Sequence, residues 1–168
     1  MENKKTNIEI FSLAALSGLV TAQGTDYSIV SIRNSDLTES SYAVFGKYRR
    51  NFRNIHVAVF DDIEYPQDGL AIVEPEQIKL ILAWARNRRN IAVHCTAGIS
   101  RSSAVAYLIA CTRMPPSEAI GLLDPDRHCP NDLVIYHGIK ILNDISIYEE
   151  YMKWIMRAAI SNDWILTI

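Results

Sequence analysis

Apolar and polar positions along the chain repeat with two periods. Residues 7–11 (NIEIF) alternate, which predicts a first strand. Residues 28–32 (SIVSI) are rich in β-branched side chains and read as a second, and residues 55–60 (IHVAVF) as a third, closed by Asp61 and Asp62. Residues 91–94 (IAVH) form a short apolar run of the kind that parallel strands make when both faces are covered.

Helical spacing begins at Pro75. Proline suits a first helical position, Glu74 and Glu76 complement the positive helix end, and Ile78, Ile81, Leu82 and Ala85 line one face. Arg86, Arg88 and Arg89 crowd the end where cations are favoured. Residues 102–112 are apolar nearly all round, which places that helix in the middle of a domain, and Pro115 and Pro116 stop it from continuing. Ser117 is expected to cap a short helix through Leu123. Asp132 is expected to cap a longer one with Ile135, Ile139, Leu142 and Ile145 on one side, and a last helix is expected over 148–159. Strands alternating with helices predict an α/β fold: a single domain over 1–168, with a mainly parallel central sheet of four or more strands flanked by helices.

Composition narrows the class. With 168 residues the chain is one domain in size, and 49% hydrophobic with 21% charged residues excludes a disordered chain. A net charge of −2 is too balanced for a general nucleic-acid or membrane-surface binder. Three cysteines, Cys95, Cys111 and Cys129, are too few and too far apart for a disulfide framework or a zinc site, so a reducing, cytoplasmic setting and no metal are expected. Lys4 and Lys5 ahead of the apolar stretch 10–20 resemble a secretory leader. Glu2, Glu9, Ser12, Ser17 and Gly18 argue against it.

The chemistry lies in Val93-His94-Cys95-Thr96-Ala97-Gly98-Ile99-Ser100-Arg101-Ser102, between a buried strand and a buried helix. A turn entering a helix N-terminus aims N–H groups at one spot, where the helix dipole also favours an anion. That spot suits a tetrahedral dianion held by residues 96–101. A cysteine opening such a turn ionises easily, and its thiolate attacks phosphorus readily. Arg101, six residues on, has a planar fork able to hold two phosphate oxygens. Gly98 permits a positive φ. Ser102 can donate to the Cys95 sulfur, and His94 is expected to orient the loop. Neither Cys111 nor Cys129 has an arginine at the same offset.

These residues resemble the His-Cys-x5-Arg-Ser/Thr signature of the cysteine-dependent protein tyrosine phosphatases, in particular the small dual-specificity-like members. A bacterial group of predicted tyrosine phosphatases pairs a loop of the form HC-x-AGISRS with a Phe-x-Asp-Ile segment, which Phe60-Asp61-Asp62-Ile63 matches. The resemblance covers about 8–145 and is weak before residue 55. It implies a phosphocysteine intermediate, no cofactor, and a general acid on the segment after the third strand. Asp62, 33 residues before Cys95, is the choice and Asp61 its competitor, both at the end of a strand expected beside the Cys95 strand. Asp124, followed by Pro125, is similar to the downstream acid of the low-molecular-weight phosphatases, which however carry their cysteine near the N-terminus. Asn131, in a Pro-Asn element shared with the related group, is expected to place the hydrolytic water or brace the loop, unless it merely ends a turn.

The expected substrate is a phosphorylated protein, at tyrosine and also at serine or threonine, or a small phosphoester, with phosphate, sulfate or vanadate able to occupy the loop. The loop lacks the lysines of phosphoinositide phosphatases, and Phe-Asp-Asp stands where large tyrosine-specific enzymes have Trp-Pro-Asp. The rivals are a non-protein phosphoester, an inactive phospho-binding module, and a sulfur-transfer or arsenate-reducing enzyme in which Cys111 or Cys129 resolves Cys95. Lys47, Arg49, Arg50 and Arg53, interleaved with Tyr48 and Phe52, read as a solvated face or as a steering patch for an anion. Trp84, Trp154 and Trp164 read as packing.

Overall fold

The computed structural model describes residues 7–36 and 43–161. Four parallel strands, β1 (Asn7–Ser12), β2 (Ser28–Arg33), β3 (Asn54–Val59) and β4 (Asn90–Cys95), form one sheet in the order β1-β4-β2-β3. The two inner places go to β2 and β4, the strands with the longest unbroken buried runs, while β1 and β3 carry exposed positions. The third strand is therefore not beside the Cys95 strand, as its sequence neighbourhood suggested; β2 lies between them. Because all strands run the same way, Ser12, Asn34, Phe60 and Cys95 reach the same sheet edge. In an open α/β sheet that edge, at the strand C-termini, is where ligands bind.

Helices cover both faces. On one face α1 (Leu13–Ala22) and α2 (Ala43–Lys47) pack Leu16, Val20 and Phe45 against Ile29, Phe52 and Ala92. The apolar stretch 10–20 contributes the end of β1 and most of α1, which is capped by Ser12, whose hydroxyl accepts from the Ala15 amide at 3.1 Å. On the other face lie α3 (Pro75–Ala85), α4 (Arg101–Cys111), α6 (Asp132–Leu142) and α7 (Ser146–Ser161). Ile78, Ile81, Leu82 and Ala85 form the buried side of α3, as their spacing predicts. Residues 101–110 of α4 are all buried, which makes it the central helix. Gly138 lets α6 cross it: a Cβ there would stand 2.2 Å from a Leu108 methyl.

Several helix ends differ from expectation. The cap of α5 (Pro116–Ala119) is Pro115 and Ser117 lies within the helix, which gives way to a 3-10 turn at Ile120–Leu122. The cap of α6 is Asn131, whose side chain accepts from the Val134 amide at 3.0 Å; Asp132 sits in the first turn. That helix ends at Asn143, whose φ is 51°, so Ile145 falls outside it and is 64% exposed rather than buried. The last helix is longer at both ends than expected. Trp154 is buried and Trp84 packs partly against the core, while Trp164 lies outside the described residues. Arg53 precedes β3, at the sheet end opposite Cys95, and Arg49 lies over the Phe52 ring with its Nη1 on the Phe52 carbonyl, an arrangement that packs rather than steers. No described helix is long and apolar enough to cross a membrane.

Candidate active site

Cys95 is the last residue of β4, and the chain turns through 96–100 into the first turn of α4. The turn is pressed against the β1–α1 junction. Leu13 donates its amide to the Thr96 carbonyl at 3.1 Å. Gly98 has φ of 75°, and a Cβ on it would stand 2.6 Å from the Ser12 nitrogen and 2.7 Å from the Phe11 carbonyl carbon. Only glycine fits, for both conformation and space.

The Cys95 thiol is 2% exposed. Its Sγ lies 3.2 Å from Ser102 Oγ and accepts from the Gly98 amide at 3.3 Å. Burial opposes ionisation, yet the Ser102 hydroxyl and amide, the Gly98 amide and the Arg101 charge together hold the thiol below its ordinary pKa. Arg101, 4% exposed, opens α4. Its Nη1 donates to Asn34 Oδ1 at 2.8 Å and to the Phe60 carbonyl at 2.7 Å, while its buried Nε has no protein partner. Asn34 also accepts from Thr96 Oγ1 at 3.4 Å. Thr96, Ala97 and Ile99 are exposed around the buried Gly98, and Ser103 Oγ bonds the Ile99 and Ser100 carbonyls, which tie the loop to α4.

His94 is fully buried. Its Nδ1 lies 3.3 Å from the Cys95 carbonyl and its Nε2 2.8 Å from Ser31 Oγ. Burial above all, with Arg33 and Arg101 adding to it, lowers its pKa to about 4 against the opposing Cys95 carbonyl. The ring is neutral at physiological pH. Ser31 Oγ already accepts from Arg33 Nε, so its proton is available to His94 Nε2, leaving Nδ1–H for the carbonyl.

The two neighbouring aspartates point opposite ways. Asp61 is 6% exposed and accepts from the Ser35 amide at 3.1 Å, the Ala71 amide at 2.8 Å and the Ser35 hydroxyl. Burial works to raise its pKa, but these donors and Arg101 bring it below the ordinary value. Asp62 is exposed. Its Oδ1 accepts from Ser100 Oγ at 2.7 Å and from Asn131 Nδ2 at 3.0 Å. Asn131 also donates its amide to the Ser100 carbonyl at 3.4 Å, and Cys129 donates its own to the Ile99 carbonyl at 3.1 Å, so residues 129–131 run beside the loop that follows Cys95.

Cys129 lies beside the loop, while Asp124 and Cys111 lie elsewhere. Asp124 is taken up in its own turn, where its Oδ1 accepts from the Asp126 amide and its amide donates to His128 Nδ1. Cys111 ends α4, about 15 Å of helix from its start. Burial above all pushes its pKa up to about 12. Burial also raises Cys129, with Asp132, Asp62 and Glu64 adding to it. Both thiols are thus held more firmly protonated than an ordinary cysteine. Among the described residues no group of three or more His, Cys, Asp or Glu could hold a metal ion. Sequence reading overlooked Ser31, Asn34 and Ser35. Their position straight after or within a buried strand, at the edge that carries Cys95, is the signal that could have found them.

The model of the dual specificity phosphatase catalytic domain matches residues 19–137. No curated protein matches the chain. A crystal structure of Tk-PTP in the active form superposes with a TM-score of 0.51 over 86% of this chain and 100% of that one, at 15% identity, a likeness of fold.

Proposed function

The chain belongs to the dual specificity phosphatase catalytic-domain family, and on that premise we propose that it hydrolyses phosphotyrosine, and also phosphoserine or phosphothreonine, through a phosphocysteine on Cys95. The observation that carries this reading is a buried thiol with a lowered pKa at the mouth of α4, next to a buried arginine whose Nε has no protein partner. The Cys95 sulfur attacks phosphorus as the bond to the leaving oxygen breaks. Arg101 and the loop amides hold the three equatorial oxygens in place as the attacking sulfur and the leaving oxygen pass in line through the transition state. Asp62 gives its proton to the leaving oxygen. A water then attacks the phosphocysteine, Asp62 takes the water's proton, and the thiolate departs, stabilised by Ser102 and Gly98.

Asp62 suits the acid role and Asp61 does not. Both donors to Asp62 land on Oδ1, which leaves Oδ2 to carry the transferable proton. Asp61 is closed off by three donors that favour its ionised form, and it secures the segment instead. A protein substrate is supported by the exposed apolar side chains around the site: Ile99 on the phosphate loop, and Tyr65 and Leu70 on the acid segment. They offer an aromatic ring or an aliphatic stem something to lie on, and residues 94–102 contain no lysine for an inositide ring. The reading requires no metal. A panel of phosphopeptides, inositides and nucleotides assayed with wild type and Cys95→Ser tests it. Expected are turnover of phosphopeptides by wild type alone and retained vanadate binding by the variant. Turnover by Cys95→Ser would refute the nucleophile, and a preference for inositides or nucleotides would refute the substrate class.

A further inference from the structure

The acid segment is held at two places, and only one of them is Asp61. On the far side of Asp62 the chain alternates: Ile63 is buried and Glu64 turns outward again. There the Glu64 carboxylate accepts the backbone amide of Asp132 at 3.0 Å. Asp132 is the first residue of α6, and the opening amides of a helix have no partner within it. Asn131, the residue before, caps the same helix through Oδ1 and reaches Asp62 through Nδ2. The start of α6 therefore takes two carboxylates from the acid segment, where the helix dipole favours negative charge. The same stretch is fastened to the phosphate loop through the Cys129 and Asn131 amides on the Ile99 and Ser100 carbonyls.

We propose that the N-terminus of α6 is a clasp that holds the general acid in register with the nucleophile, with Glu64 and Asn131 as its positioning residues. One rigid element bonds to the loop that carries the phosphate and to the segment that carries the proton. Their separation is then set before substrate arrives, and the acid needs no lid closure to reach the leaving oxygen. Neither residue touches the thiol, so the clasp acts on the two proton transfers of Asp62, to the leaving oxygen and from the hydrolytic water, and not on attack by the sulfur.

This proposal rests on Asp62 being the acid, and the test separates the two. The measured quantity is kcat/KM, which ends at release of the first leaving group, for p-nitrophenyl phosphate, whose leaving group departs with little help, and for phenyl phosphate, whose leaving group needs the proton. Glu64 is exposed, so Glu64→Ala is expected to fold. It should lower kcat/KM for phenyl phosphate about tenfold, a part of what a general acid supplies, and affect that for p-nitrophenyl phosphate by a much smaller factor. Glu64→Gln keeps an oxygen for the Asp132 amide and should restore most of the loss. Asn131→Ala should show the same selectivity, alongside a loss of thermal stability from its missing cap. Asp62→Asn should show the largest selectivity of all. If Asp62→Asn discriminates between the substrates and Glu64→Ala does not, the clasp is overturned and the acid stands. If Asp62→Asn does not discriminate, the acid assignment falls and takes the clasp with it.

Discussion

The two ends of α4 hold two shielded cysteines with opposite chemistry. Cys95 stands ahead of the helix, where its sulfur meets the Gly98 amide, the Ser102 hydroxyl and the Arg101 charge, and its pKa falls. Cys111 closes the same helix beside Tyr107, and its pKa rises to about 12. Burial opposes ionisation at both ends and is the largest influence on each. What separates them is supply of donors. A helix begins with free N–H groups and ends with free carbonyls, so the same residue is drawn toward its thiolate at one end and held as a thiol at the other. A buried cysteine alone says little about reactivity; its position relative to a helix N-terminus and a guanidinium says much more.

The largest way to break this contrast is to exchange the sulfurs. Cys95→Ser should bring turnover of an aryl phosphate down by at least about 10⁴-fold, while Cys111→Ser should leave it within about twofold, read as steady-state rates. Comparable losses from both would end the comparison. Next is Arg101→Lys. Lysine keeps the charge but cannot bond Asn34 and Phe60 while presenting a second nitrogen to phosphate, so kcat should drop about 10²- to 10³-fold. Ser102→Ala follows. It removes one donor to the sulfur, and a loss of about tenfold is expected, concentrated in breakdown of the phosphocysteine, where the thiolate must leave. A burst of phenol ahead of slower steady turnover in stopped flow would locate it there.

How much of this was legible follows from what each feature depends on. The four strands, α3 and the buried helix α4 were readable because a period of 2 or 3.6 is written in adjacent residues. The loop was readable because Cys95, Gly98, Arg101 and Ser102 lie within eight positions. Strand order was not, since the insertion of β2 between β4 and β3 depends on pairing between distant segments. For the same reason Asn34 on Arg101, 67 positions away, and Glu64 on the Asp132 amide, 68 positions away, left no local trace. The Asp61 and Asp62 pair was ambiguous in one dimension. It separates once β3 ends and the alternation of buried and exposed positions sends one inward and one outward. Asn131 and Asp132 both suit a helix cap, and the choice fell to the residue that could also serve Asp62.

The smallest effect is in stability, and it should have opposite signs at the two ends of α4. A thiol whose pKa is lowered by folding loses its proton in the native state first. Between that lowered value and the unfolded one of about 8.5, the native state binds fewer protons than the unfolded chain. The contribution of Cys95 to stability therefore grows as pH rises through that window and disappears as pH falls through the folded value. Cys111 behaves in reverse: between about 8.5 in the unfolded chain and about 12 in the native state, the unfolded chain alone loses its proton. Its contribution is whole below that window and fades as pH rises through it. Urea unfolding of wild type, Cys95→Ser and Cys111→Ser at pH 6, 8 and 10 reads both. The stability gap between wild type and Cys95→Ser should move in favour of wild type from pH 6 to 8, while the gap to Cys111→Ser should move against wild type from pH 8 to 10. Parallel gaps would mean that the donors at the head of α4 do not stabilise a thiolate, and the nucleophile would have to be sought elsewhere.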